Sequence, residues 1–239
     1  MSGMHAIRRD TVSFNDFNLV QSTLKLPTSA KARENDPGTY FNGCYPEFIH
    51  GYHGANYTYM DLGIIYKENK FHFFAYSGKA IPNVWAEQPI SLSGIKLGAT
   101  IIFTTEIKNG FASINLSVGG LSTGVSWRLT DNGQKAYLNG AKIVREMVLA
   151  LNKDTDGSFK IPTGAYFKGA YFTNTRLDSK QHGLVDMGRI TTVATKETYD
   201  DNLSGGYVDA VLGSNGYSLT DTVNEAKLWF KFKKSLTSH

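Results

Sequence analysis

The chain offers one cysteine, Cys44, in 239 residues, so no disulfide can form within it. That excludes a small disulfide-stapled scaffold, the device of chains too short to bury a core. Prolines number six against 24 glycines, so chain reversals fall mostly to glycine, asparagine and aspartate. No apolar run approaches the roughly 20 residues of a membrane-spanning helix. Charge of one sign is scarce too: 25 Lys and Arg stand against 21 Asp and Glu, a net charge of +4. The basic residues are scattered, with only Lys231, Lys233 and Lys234 clustered. Without a basic stripe or a recognition motif, nucleic-acid binding is not expected. The opening MSGMHAIRRD lacks the apolar core of a signal peptide. A secreted chain whose leader is absent from this sequence is the first expectation, and a cytoplasmic one the alternative.

Familiar enzyme signatures are missing as well. There is no nucleophile elbow, phosphate loop or dinucleotide fingerprint. His50 and His53 sit in HGYHG, but two imidazoles do not make a metal site, and they read as solvated loop histidines. Asn152, Asp154, Asp156 and Gly157 mimic the opening of a calcium loop. The twelfth position, which needs a bidentate Glu, is Thr163. A turn rich in side-chain-to-backbone hydrogen bonds accounts for those residues. Cys44 has no base fixed beside it in sequence and reads as a free, partly buried thiol. No metal and no cofactor is expected.

What the chain does contain is aromatic and periodic. Its 13 Tyr and 14 Phe favour strands, and its length suffices for a large core. Residues 1–11 read as a flexible polar arm and residues 12–239 as one β-sandwich domain. Val12, Phe14, Phe17 and Leu19 suggest a first strand with an irregularity, and residues 27–38 a long loop. YTYMDLGIIY and FHFFAYS, joined by Lys67-Glu68-Asn69-Lys70, read as a hairpin. The clearest hairpin is TIIFTTEI and FASINLSV around Asn109-Gly110. In its second arm Ala112, Ile114, Leu116 and Val118 alternate with polar residues, which means one buried face. AKIVREMVLAL, residues 141–151, fits a helical stripe as well as a strand buried on both faces. Its β-rich surroundings favour the strand. The expected fold is all-β, an antiparallel two-sheet sandwich or jelly roll of the concanavalin kind.

Period two also proposes a site. Tyr59, Asp61 and Gly63 share one face of their strand; His72, Phe74 and Tyr76 share one face of the next. In the ambiguous strand Lys142, Val144, Glu146 and Val148 share a face. If those faces line one concavity, carboxylates, an imidazole, an ammonium and aromatic rings converge there, with Trp85 as a further candidate. Aromatic faces stack on sugars, and charges and hydroxyls fix orientation.

Four segments, in order, resemble the glutamic peptidases (eqolisins): YMDLGI, FHFFAYSGK, the hairpin ISLSGIKLGATIIFTTEIKNGFASINLSVGG, and AKIVREMV followed by GAYFKGAYFTNT. The resemblance implies a concanavalin-like sandwich over residues 47–177. It places Asp61 where that family carries its catalytic Gln and Lys142 where it carries its catalytic Glu. An Asp and a Lys cannot take those roles unchanged and would form an ion pair across the cleft. YFKGAY, from Tyr166 to Tyr171, is similar to a strand of concanavalin-like alginate lyases, without the Arg-rich and Gln-x-His strands that precede it there.

The leading expectation is a non-catalytic binding module for a glycan or other extended polymer, with Tyr59, Asp61, His72, Phe74, Tyr76, Lys142 and Glu146 as its contacts. The alternatives are a hydrolase or lyase on the same fold, or a secreted structural or interaction protein. Neither a nucleic-acid partner nor a membrane span is expected.

Overall fold

The computed structural model describes residues 2–12, 15–34, 43–151, 159–190, 193–200, 206–213 and 220–232. In chain order the strands are β1 (Ser2–Thr11), β2 (Phe17–Lys25), β3 (Ser29–Lys31), β4 (Cys44–His53), β5 (Tyr59–Lys67) and β6 (Lys70–Ser77). There follow β7 (Trp85–Pro89), β8 (Thr100–Lys108), β9 (Phe111–Val118), β10 (Leu121–Arg128), β11 (Lys142–Leu151) and β12 (Phe159–Lys168). The last are β13 (Ala170–Ser179), β14 (Gly183–Asp186), β15 (Val193–Asp200), β16 (Gly206–Leu212) and β17 (Asp221–Phe232). One short helix, α1 (Asp131–Ala136), is capped by Thr130, whose hydroxyl accepts the Gly133 N–H at 3.0 Å.

Among the described residues these strands form two antiparallel sheets. One is seven-stranded, in the order β15-β1-β11-β4-β5-β6-β7; the other is ten-stranded, running from β10 through β9, β8, β2, β13, β17 and β12 to β3. The expected all-β, two-sheet sandwich is the observed architecture. The hairpin turns follow the expected chemistry: Asn109 and Gly110 take φ of 52° and 79°, joining β8 to β9, as a right-twisted hairpin requires.

Alternation builds the core. Phe17, Phe48, Phe73, Phe103, Phe167 and Phe172 are fully buried in the layer between the sheets. Phe48 meets Phe167 edge to face at 5.4 Å. A polar chain crosses this layer. Arg9 on β1 donates through Nε to Asp221 Oδ1 on β17 at 2.6 Å, and Arg145 on β11 pairs with Asp221 Oδ2. Arg145 also donates to the Thr175 hydroxyl, which lies 2.9 Å from Ser22 Oγ. Ser22 in turn meets His50 Nε2 at 3.0 Å, and His50 Nδ1 meets Thr105 Oγ1 at 3.1 Å. Burial first, then the Arg145 charge, holds the His50 imidazole well below its usual pKa, so it is neutral here.

Several expectations change. Residues 2–11 are not an arm: β1 pairs with β11 on one side and β15 on the other. The polarity of HAIRRD misleads because His5 and Arg9 are buried against charged partners. Val12 is exposed beyond the end of β1, and the next strand starts at Phe17; Phe14 lies outside the described residues. HGYH belongs to β4 rather than a loop, and His50 is a core residue stacked on Phe103 at 4.1 Å. The polar stretch after Pro27 contains β3 and a bridge from Arg33 to Cys44, and Cys44 is fully buried. Residues 142–151, by contrast, are the strand that their β-rich surroundings favour. The calcium-like turn at Asn152, Asp154 and Asp156 lies outside the described residues, as do Lys233 and Lys234.

Asp221 is the shared carboxylate of two buried guanidiniums. Asp221→Asn leaves both cations without it, which should lower stability by about 3–5 kcal/mol. Equilibrium urea unfolding of the variant against the native chain measures this; an unchanged midpoint would contradict it.

Candidate functional site

Residues directly opposite each other on neighbouring strands share a face. The register therefore places side chains row by row on the seven-stranded sheet. Lys142, His53 and Tyr59 form one row across β11, β4 and β5. Asp10, Val144, Gly51, Asp61, Tyr76 and Trp85 form the next. Arg8, Glu146, Ile49, Gly63, Phe74 and Glu87 form the third; His5, Val148, Glu47, Ile65, His72 and Pro89 form the fourth. The intervening residues, such as Met60, Leu62, Phe73 and Met147, point into the inter-sheet core. All seven residues singled out in the sequence therefore lie on the same outer face. A second apolar cluster, with Tyr45, Ile49, Ile65, Phe74 and Val148, underlies it.

The seven differ in access. Tyr59 is 37% exposed, and Asp61, Tyr76 and Lys142 are half-buried. The Tyr59 hydroxyl donates to the Tyr76 hydroxyl at 3.1 Å, and Trp85 stands 6.5 Å from the Tyr76 ring. Phe74 is buried under Trp85, with the rings stacked at 5.0 Å. His72 is buried, its Nδ1 2.8 Å from Glu87 Oε1. Glu146 is buried, with Oε2 2.7 Å from His5 Nδ1 and 3.9 Å from an Arg8 nitrogen. Phe74, His72 and Glu146 thus form the support beneath the accessible residues.

The expected Asp61–Lys142 ion pair does not form. The two lie on the same sheet and face, but the residue aligned with Asp61 across Gly51 is Val144. Lys142 is one row and two strands away, which sets the Cα atoms roughly 12 Å apart in a regular sheet. Asp61 instead belongs electrostatically to a group of carboxyls with Glu47 and Glu146. Burial first, then the Glu146 charge, pushes the Asp61 carboxyl up to about 7. Glu47, only 2% exposed, is pushed well above the usual carboxylate range by burial and then by Asp61. Its Oε1 has no hydrogen-bond partner among the described residues. Gly51 matters beside Asp61: a Cβ there would sit 3.0 Å from Asp61 Oδ1 and 3.2 Å from Val144 Cβ.

Glu47, His5, Arg8 and Glu87 escaped the sequence reading. Glu47 sits in CYPEFIHGYH, which mixes polar and apolar residues without clean alternation, and His5 and Arg8 lie in the segment read as an arm. The usable signal was Glu47 two residues from Tyr45 and Ile49, which puts all three on one face of a strand. Among the described residues, no group of three or more His, Cys, Asp or Glu side chains is placed to hold a metal ion.

No protein-family model matches the chain, and no curated protein matches it. Among solved structures it is similar to Scytalido-glutamic peptidase, crystallised with a peptide-based transition-state analogue. That match has a TM-score of 0.51 at 13% identity and covers 92% of this chain and 98% of the other. The shared fold is the eqolisin β-sandwich.

The Asp61 carboxyl makes a pH prediction. Its folded pKa lies above the 3.8 of a free carboxyl, so between about pH 4 and 7 the folded state keeps a proton that the unfolded chain has released. Stability from this group is therefore lost as pH rises through that window. Asp61→Asn mimics the protonated form. It should leave the melting temperature unchanged near pH 4 and raise it above pH 7, as read by circular dichroism across pH. An equal shift at every pH would show that Asp61 does not titrate this way.

Proposed function

We propose that the outer face of the seven-stranded sheet binds an extended polymer chain, a glycan foremost, as a non-catalytic module. The observation that carries this is the half-exposed aromatic wall of Tyr59, Tyr76 and Trp85 beside the half-buried Asp61. Aromatic rings cover the C–H faces of sugars, and a few fixed polar groups orient their hydroxyls. The wall is held by a β-sheet and by Phe74 stacked behind Trp85, so little side-chain ordering is needed on binding. Asp61 and the two tyrosine hydroxyls supply hydrogen bonds, and Lys142 supplies a cation at the end of the same face. Glu87 is already engaged by His72, Lys67 and the Trp85 indole, and Glu146 by His5 and Arg8. Those two carboxylates serve as support rather than chemistry. An extracellular polymer as ligand goes with a secreted chain.

One observation favours a second reading, a hydrolase on the same face. A carboxyl raised to about 7, as Asp61 is, exchanges protons near neutrality, as a general acid or base must. The similar solved structure is a peptidase, which makes peptides the first substrates to try.

Pull-down on insoluble polysaccharides and a glycan array should capture the native chain. Tyr76→Ala and Trp85→Ala should each weaken capture by about tenfold without loss of fold. Failure of the native chain to bind any polymer, or capture of both variants as strong as that of the native chain, would end the binding reading. Release of products from peptides or polysaccharides at about pH 5–8, abolished by Asp61→Asn, would replace it with the hydrolase.

A further inference from the structure

The geometry points to a second ligand site at one end of the sandwich, a groove for an acidic sugar, that is, a polyhydroxylated carboxylate. The groove has a volume of about 430 Å³, within the range of clefts that take small ligands. The β8–β9 turn, α1 with the residues after it, and the β13–β14 turn enclose it, and no residue of the outer face lines it. Its ligand and its test are thus independent of the reading given for that face.

The lining has three parts, each matched to one part of such a ligand. Lys108 and Lys180 provide two ammonium groups, and the lining includes no carboxylate. The Lys108 amine lies 3.5 Å from Glu106 on a side chain that is 63% exposed. The Lys180 amine donates one hydrogen bond to the Leu138 carbonyl at 2.9 Å, which leaves two of its three protons for an anion. Asn18, Asn109 and Gln134 bring amides that both donate and accept, as hydroxyl groups require. Gln134 Nε2 leans on the Leu129 carbonyl at 3.4 Å. Asn18 Oδ1 is buried with no hydrogen-bond partner among the described residues, so its desolvation is uncompensated. Ile107 and Leu129 are buried beneath, and Leu138 is 67% exposed. These supply an apolar surface for the C–H side of a sugar ring. A fatty acid would strand the amides, and an inorganic anion would leave the apolar side uncovered.

The full chain titrated with glucuronate, galacturonate, glucose and inorganic phosphate, by calorimetry and by amide chemical shifts, tests the site. At least one uronate should bind, perturbing Asn109 and Gly110, with glucose and phosphate each at least about tenfold weaker. Lys108→Gln with Lys180→Gln should lose at least about tenfold in uronate affinity while circular dichroism shows the native fold. If the double variant does not fold, Lys108→Gln alone, at an exposed side chain, should still weaken binding measurably. The inference is overturned if neither uronate binds, if phosphate or glucose binds as well as the uronates, or if the folded lysine variant binds uronate like the native chain.

Discussion

The ion pair between Arg145 and Asp221 is the constraint on which the rest of this structure depends. It ties β11 of one sheet to β17 of the other, at the centre of a polar chain running from Arg9 to Thr105. An unpaired guanidinium in that layer would be strongly unfavourable, so the pair leaves little freedom in how the sheets align. It also sets the outer face. Arg145 and Glu146 are neighbours on one strand, so holding the cation inward turns the carboxylate outward. A slip of one residue would exchange them, placing Glu146 in the core and Arg145 on the face.

The outer face has an electrostatic logic of its own. Two histidine–glutamate pairs flank it, His5 with Glu146 on one side and His72 with Glu87 on the other. Between them Glu47 and Asp61 share a partly dehydrated stretch; beyond burial, Asp61 raises the pKa of Glu47, and Glu146 raises that of Asp61. Deeper, Glu47 is shut away; nearer the surface, Asp61 stands beside the exposed tyrosines. The face thus grades from a rigid, buried support to an accessible rim where a ligand meets aromatic rings and a carboxyl poised between its two protonation states.

Much of this was legible in the sequence where one physical signal acted alone. The β8–β9 hairpin was clear because strict alternation met an Asn-Gly turn, two signals that agree. The grouping of Tyr59 with Asp61, and of His72 with Phe74 and Tyr76, followed from period two and needed no tertiary knowledge. Reading failed where buried charge imitated solvent exposure. The polarity of His5 and Arg9 makes β1 look like an arm, and histidine and glycine make HGYHG look like a loop. Both segments bury polar side chains against partners far away in sequence: Asp221 lies 212 positions from Arg9.

By itself, then, the sequence determined the class of the fold, the main hairpins and the residues that alternate onto one face. Those are properties of spacing along one strand, and a strand's pleat is local. Tertiary structure alone decided which strands stand side by side, and so what each residue meets. Asp61 faces Val144 across Gly51 rather than Lys142, because pairing register is set by contacts between distant segments. The same cause made Asp61 a raised carboxyl among carboxyls instead of half of an ion pair: a pKa answers to burial and to neighbouring charge, and both arise only when the sheets assemble.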